Sequence, residues 1–226
     1  MQKHFFLAGT DTDVGKTVVS CALLRQATAA GLSTLGLKPI AAGCEKIDGE
    51  YRNDDALALM ASSTASLPYK AVNPIAFADP IAPHIAAMHS GVSVSASDLA
   101  NQCQQQLVND HFTIVEGAGG WRVPLNDTES MADLAKVLGL PVILVVGFKL
   151  GCLNHALLTV EAITRDGLPL AGWVANQIDP DMAVVDENLA SLKQRIKAPC
   201  LGFIPYRSNI TAEAAQSFLN SDFLYK

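Results

Sequence analysis

The sequence predicts an α/β fold, a doubly wound, mostly parallel sheet with helices on both faces. Three observations carry that prediction. Short apolar runs rich in branched residues alternate with longer segments of helical character, the pattern of repeated strand–helix units. The run Pro141–Gly147 is apolar without polar alternation, which suits a strand covered on both faces. A glycine-bearing segment, Gly9–Thr17, separates the first strand candidate from the first helix candidate, at the end of the sheet where such folds bind ligands.

The elements follow in order. Strands are expected at Phe5–Ala8, Leu35–Leu37, Phe112–Val115, Val142–Val146, Leu170–Ala175 and Leu201–Ile204. Helices are expected at Thr17–Ala30, Asp54–Ala61, Val94–Val108, Ser130–Leu138, His155–Asp166 and Val184–Lys197. The first helix has apolar residues at Val18, Cys21, Ala22, Leu24 and Ala27, and Gly31 stands where a C-terminal stop belongs. Asp166-Gly167 and Lys197-Ala198-Pro199 are further stops. The polar stretch Ala42–Asn53 reads as a loop over the sheet edge. No repeat, low-complexity tract or linker divides the chain, so residues 1–226 are expected to form one domain.

Composition bounds the function. Of 226 residues, 50% are hydrophobic and 17% charged, which excludes a disordered chain, a coiled coil and a collagen-like repeat. The formal net charge is −6 and no basic block occurs, so nucleic acid is not an expected partner. Five cysteines without a C-x-x-C pair argue against a disulfide framework or a thiolate zinc site and read as small apolar core residues. The apolar run at the N-terminus is too short for a signal peptide, and no run reaches membrane-spanning length. The expected compartment is the cytoplasm, with no membrane association.

The strongest chemical signal is Gly9-Thr10-Asp11-Thr12-Asp13-Val14-Gly15-Lys16-Thr17. A glycine-bearing turn between strand and helix presents successive backbone N–H groups to phosphate oxygens, and the helix N-terminus adds partial positive charge. Lys16 supplies a full charge toward the β- and γ-phosphates, and Thr17 offers a hard oxygen to Mg²⁺. Five residues separate Gly9 from Gly15, one more than the usual G-x-x-x-x-G-K-[ST] pattern, so Thr10 stands at the place of the first glycine. With this loop, the expected fold is that of the P-loop NTPases.

Mg²⁺–ATP needs carboxylates as well. Glu116 follows the strand Phe112–Val115 and leads into Gly117-Ala118-Gly119-Gly120, read as a glycine-rich turn at the ligand-binding end of the sheet. Asp54 and Asp55 open a helix, where carboxylates also serve as simple caps. Lys38 ends another strand and should point into the same crevice, where it can hold a carboxylate, a carbamate or a phosphate. Asn154 is expected as a helix N-cap, with His155 in the first turn. His84, His89, Trp121 and Trp173 read as structural or surface residues, and no pair of His or Cys stands at transition-metal spacing.

The loop Gly9–Thr17 resembles the G-T-D-T-[DE]-V-G-K-T loop of the dethiobiotin synthetase family, whose form includes the longer spacing. The resemblance continues through Lys38-Pro39, Arg52–Leu57, Val115–Gly120, Leu144–Ala156, Gly172–Asn176 and Gly202–Pro205, almost the whole chain in order. It implies an ATP- and Mg²⁺-dependent cyclo-ligase that joins CO₂ to 7,8-diaminononanoate and closes the ureido ring, giving dethiobiotin, ADP and phosphate. It also implies a homodimer with the site near the subunit interface.

Residue roles follow from the same resemblance. Asp13, Val14, Gly15, Lys16, Thr17 and Val18 would wrap the ATP phosphates, and Thr17, Asp55 and Glu116 would bind Mg²⁺. Lys16 and Lys38 would act catalytically between the substrate carbamate and the γ-phosphate, with Thr12 close to the substrate. Glu116, Gly117, Ala118 and Gly119 would face the nucleotide. Asn176 would read the adenine edge, with Gln177 beside it and Pro205, Tyr206 and Arg207 lining that pocket. Leu150, Gly151, Cys152, Leu153 and Asn154, at a helix N-terminus, would come from the partner subunit and hold the substrate carboxylate.

Two positions depart from the family pattern. Ala42 stands where a substrate-contacting Ser is common, so one hydrogen bond worth about 1 kcal/mol is either missing or supplied by a neighbour. Gln177 stands where Asp often follows Asn176. The alternative reading is a nucleotide switch related to partition and division-site ATPases. Such proteins are expected to carry a second Lys early in the loop, where this chain has Gly9-Thr10-Asp11, and some carry a basic amphipathic tail, whereas the segment Ile210–Lys226 has one Lys at its end. A synthetase for another amide or carbamate, or an ATP binder without chemistry, would share the loop but not the full set of motifs.

Overall fold

A computed structural model describes residues 3–225. The strands are β1 (His4–Gly9), β2 (Ser33–Leu37), β3 (Ile40–Ala41), β4 (Glu45–Ile47), β5 (Glu50–Arg52), β6 (Ile75–Ala76), β7 (His111–Gly120), β8 (Val142–Phe148), β9 (Leu170–Gln177) and β10 (Cys200–Ile204). The helices are α1 (Lys16–Ala29), α2 (Asp54–Ser62), α3 (Tyr69–Val72), α4 (Pro83–Ser90), α5 (Ala96–Gln104), α6 (Met131–Leu138), α7 (Cys152–Arg165), α8 (Val185–Arg195) and α9 (Ala212–Ala215). Six strands form a parallel sheet in the order β10-β9-β8-β1-β7-β2. Each of the six expected strands is one of these.

Both faces of the sheet are covered, and the strands show why. In β1, Phe6 and Ala8 join one apolar cluster while Phe5 and Leu7 join the other. Every residue of β8 is buried, as its unbroken apolar run requires. One cluster gathers residues of α5, α6, α7 and α8, and the other gathers α1 and the C-terminal segment. Helix α1 is buried on most of its circumference. The sheet lies on one side of it, and on the other Gln26 Nε2 donates to the carbonyls of Gln216 and Leu219 at 2.7 and 2.9 Å. Gly31, at φ 85°, ends α1 as expected.

Several expectations need correction. Ala42–Asn53 is not simply a loop, because β4 and β5 form an antiparallel hairpin within it, turning at Asp48-Gly49, both at positive φ. The segment Gly117–Gly120 is not a turn: β7 runs through it, and Gly120 pairs with Gly9 of β1. Helix α7 begins at Cys152 with Gly151 as its N-cap, so Asn154 does not cap it and His155 lies beyond the first residues. Its start is set by Gly151 at φ 95° rather than by a polar side chain. Trp121 packs edge-on against Phe6 and also donates from Nε1 to Asp166 Oδ2 at 2.7 Å. Four cysteines are buried and Cys200 is half-buried. Burial pushes the Cys21 thiol up to about 11 and that of Cys103 to about 12, consistent with inert core residues. Among the described residues no helix is long and apolar enough to cross a membrane.

Candidate active site

The loop after β1 is shaped by its own backbone. Thr10 N–H donates to the Val145 carbonyl at 2.9 Å, and its hydroxyl accepts from Gly147 N–H at 3.2 Å. Thr10, at the place of the usual first glycine, thereby ties the loop to β8. Asp13 at φ 56° and Gly15 at φ 83° curl the chain through left-handed conformations, which turns successive N–H groups to one side. No side chain caps α1 and no acid stands in its first turn, so its leading N–H groups and dipole are open to an anion. Lys16 reaches back over the loop and donates to the Asp11 carbonyl at 2.9 Å. Burial, and then the nearby Lys38, lower its pKa to about 8.

The second part of the site is built on strand register. Leu37 of β2 lies opposite Val115 of β7, and Leu7 of β1 lies opposite Glu116. Lys38 and Glu116 therefore meet where the strands reach the crevice. Lys38 is 3% exposed, and its Nζ lies 2.7 Å from Glu116 Oε1 and 3.0 Å from Asp55 Oδ2. The Gly117 carbonyl also accepts from it at 3.3 Å. Burial opposes charge on Lys38, but Glu116 and Asp55 outweigh it and hold the ammonium pKa above its ordinary value. Lys38 is thus a buried, paired cation rather than a solvated strand end.

Glu116 is fully buried and accepts three hydrogen bonds, which leaves one of its about four acceptor positions open. Its Oε1 also accepts from the Thr17 hydroxyl at 3.0 Å, and its Oε2 accepts from the Ser20 hydroxyl at 2.7 Å. Asp55 comes from the first turn of α2, whose cap is Asn53, accepting from Ala56 N–H at 3.2 Å. Asp55 is therefore not the cap, and its carboxylate is free to turn toward the crevice. Burial would raise its pKa, but the Lys38 ammonium beside it, with the Thr17 hydroxyl close by, holds it below the usual range.

Lys16, Thr17, Lys38 and Asp55 border one cavity of about 880 Å³, while Glu116, Gly117 and Ser20 lie behind its lining. Of the sequence-derived residues, Thr12, Asp13, Gly15, Lys16, Thr17 and Val18 line it from the loop. Lys38, Ala42, Asp55, Ala118 and Gly119 line the opposite side. The remaining lining, Ala41, Gly43, Asn53, Pro80–Pro83 and Val123, is apolar apart from Asn53. Nothing in the chemistry of Pro80–Pro83 marked it in the sequence. Ser20 was also missed, although it follows Thr17 by one helical turn, on the same face.

The other candidates lie outside that lining. Val14 is buried and takes part through its backbone, since its carbonyl accepts from Asn176 Nδ2 at 2.9 Å. A side chain at Gly15 would collide with that amide, so glycine is required there for space as well as for conformation. Gln177 Oε1 accepts from Tyr206 N–H at 3.3 Å, joining the end of β9 to Pro205–Arg207, and the Arg207 guanidinium stacks on Phe218. Leu150 is 94% exposed, and Leu150–Asn154 do not reach the cavity of their own chain. Among the described residues no group of three or more His, Cys, Asp and Glu forms a metal cluster.

Comparison with known proteins decides the family. A family model described as an AAA domain matches residues 3–214. The ATP-dependent dethiobiotin synthetase BioD of Cellvibrio japonicus is 59% identical over 97% of this chain and 96% of its own length. The chain belongs to the dethiobiotin synthetase family. The corresponding family members of Pseudomonas paraeruginosa and Vibrio vulnificus are 52% and 47% identical, over 96% and 99% of this chain and 95% and 99% of their own. Among solved structures, the septum site-determining protein MinD of Pyrococcus horikoshii superposes with a TM-score of 0.56 at 12% identity, over 98% of this chain and 88% of that one. FtsY of Thermotoga maritima gives 0.53 at 13%, over 95% and 67%. These two likenesses show that the chain has a P-loop NTPase-like α/β fold.

Proposed function

We propose that the chain catalyses ATP-dependent carboxylation and ring closure of 7,8-diaminononanoate with CO₂, yielding dethiobiotin, ADP and phosphate. The observation that carries this reading is a second buried cation, Lys38, facing the loop lysine across one cavity, in a chain of the dethiobiotin synthetase family. A carbamate oxygen is a poor leaving group. Phosphoryl transfer from ATP makes it a mixed carbamic–phosphoric anhydride, which the second amine attacks, expelling phosphate and closing the ring. Both reactants are anions, so the site must neutralise them together. Lys16 suits the γ-phosphate and Lys38 the carbamate. The remaining work is positioning, because ring closure is intramolecular.

Charge balance bears on the metal. Two lysines in the cluster face two carboxylates, Asp55 and Glu116, leaving little net positive charge for a triphosphate. Thr17, Asp55 and Glu116 are hard oxygen donors on one side of the loop, the donor chemistry Mg²⁺ takes, and would hold it. The ion would supply charge neutralisation at the phosphate oxygens. Because its Nδ2 is committed to Val14, Asn176 has Oδ1 left to accept from an amine such as adenine N6. Leu150–Asn154, exposed and remote from their own cavity, suit the carboxylate of a substrate bound in a homodimer. The protein is read as cytoplasmic, acting on small molecules alone, with residues 1–226 as one domain.

The test is ADP release from Mg²⁺–ATP and bicarbonate, with and without 7,8-diaminononanoate. Amine-dependent release with a product of dethiobiotin mass supports the reading. ATP turnover indifferent to the diamine would replace it with the nucleotide-switch reading.

A further inference from the structure

Two of the three members of the Lys38–Asp55–Glu116 cluster stand on segments that the central sheet does not hold directly. Lys38 lies between β2 and β3, before Pro39, and Asp55 lies on α2. Both segments are tied to one short element, α3. Lys38 N–H donates to the Val72 carbonyl at 2.9 Å, and Asn73 Nδ2 donates to the Lys38 carbonyl at 2.6 Å and to that of Ile75 at 3.2 Å. The Asn73 Oδ1 accepts from the Tyr69 hydroxyl at 2.8 Å. That hydroxyl in turn accepts from Asn53 N–H at 2.7 Å, the cap of α2. Tyr69, Asn73 and Asn53 are all buried, and the Arg52 guanidinium lies 4.9 Å over the Tyr69 ring, holding its plane. A continuous relay thus runs from the backbone of Lys38 to the cap of the helix that carries Asp55.

We infer that the Tyr69 hydroxyl and the Asn73 amide are positioning groups that set the Lys38–Asp55 distance and so keep the Lys38 ammonium aimed at the reacting anion. Neither borders the cavity, so neither touches substrate. Tyr69 is the only group of the relay that meets both sides, donating toward Lys38 and accepting from the Asp55 helix. Loss of its hydroxyl leaves Asn53 N–H and Asn73 Oδ1 buried without that partner and frees the two segments to shift independently. Small misplacements of this kind act on turnover more than on binding. The inference rests on the role proposed for Lys38, and the test separates the two.

Tyr69→Phe keeps the ring and removes the relay. The expected result is a fall in kcat on the order of tenfold with the KM for ATP nearly unchanged. Nitrogen-labelled lysine gives a second readout independent of turnover. The Lys38 ammonium should exchange its protons slowly in the wild type and much faster in Tyr69→Phe, while Lys16 is unaffected. In a Lys38→Met background, Tyr69→Phe should add no further loss of rate. If Tyr69→Phe fails to fold, Asn73→Ser, which removes the donor to the Lys38 carbonyl, carries the same expectations. Unchanged Lys38 exchange in the variant, rapid exchange already in the wild type, or an equal further loss in the Lys38→Met background would each overturn the inference. If Lys38→Met itself turns over normally while Tyr69→Phe still loosens the ammonium, the positioning stands and the proposed role of Lys38 falls.

Discussion

Replacing Lys38 with methionine keeps an unbranched side chain, one atom shorter, and removes its charge. Glu116 would then be a fully buried carboxylate with only the Thr17 and Ser20 hydroxyls as partners. Breaking a buried pair from one side costs about 3–5 kcal/mol. The lower end applies here, because two hydroxyls remain and the Asp55 side chain is 43% exposed. For a chain of this length about 3 kcal/mol corresponds to a melting temperature lower by roughly 6–12 °C. Adding Glu116→Gln removes the orphaned charge and should return at least half of that loss without restoring activity. The pH dependence has a definite sign. The Lys38 pKa is raised on folding, so its stabilisation is complete below about 10.4 and is lost as pH rises through the higher folded value. The Asp55 pKa is lowered, so its share is present above about 3.9 and is lost as pH falls through the lower folded value. The gap between wild type and variant should therefore be flat across neutral pH and close in strong base. Turnover should fall by at least about a hundredfold. Calorimetric melting and steady-state ADP release read both. A variant melting within about 2 °C of wild type and turning over within threefold of it would show that Lys38 neither balances Glu116 nor serves the reaction.

Other consequences follow from the same geometry. Lys16 titrates near 8 in the free protein, so below that pH its charging opposes folding, and a bound triphosphate should restore its proton. Nucleotide affinity should weaken about tenfold by pH 9, with nearly one proton taken up per ATP at that pH; titration calorimetry in buffers of different ionisation heat would show it, and an affinity flat from pH 7 to 9 would contradict it. Ala42→Ser should change the KM for the diamine by a few-fold and leave ATP affinity alone, and a change in ATP binding would mean that this wall of the cavity is misassigned. Asp166 is nearly buried and accepts from Trp121 Nε1 at 2.7 Å and from Arg122 at 3.0 and 2.9 Å. Asp166→Ala should cost about 1–3 kcal/mol in chemical denaturation, and no loss would show that the link between α7 and the segment after β7 does not contribute to stability.

What the sequence made legible was what periodicity and motif spacing encode. The unbroken run of β8, the strand–loop–helix context of Gly9–Thr17 and the stop at Gly31 each depend on nearby residues, and each appeared where expected. Lys38 and Glu116 could be placed at strand ends, but not in contact, because their 2.7 Å pairing comes from the β2–β7 register across 78 residues. The extension of β7 through Gly117–Gly120 was hidden because glycine runs read as turns until a partner strand accepts them. The hairpin of β4 and β5 is almost wholly exposed, so neither strand has a buried face to leave an alternation. The start of α7 was displaced by an obvious polar cap, Asn154, when a left-handed glycine does that work. The Tyr69–Asn73–Asn53 relay is a set of hydrogen bonds among residues whose types are individually unremarkable, and no local pattern announces it.

In the proposed reaction a carbamate oxygen is phosphorylated by ATP and leaves as phosphate when the ring closes. Mass spectrometry of the products formed from Mg²⁺–ATP, 7,8-diaminononanoate and freshly dissolved ¹⁸O-labelled CO₂ tests it directly. The expected products are dethiobiotin and inorganic phosphate carrying one labelled oxygen per turnover. Phosphate without label, or labelled-oxygen chemistry replaced by ATP hydrolysis that ignores the diamine, would contradict it.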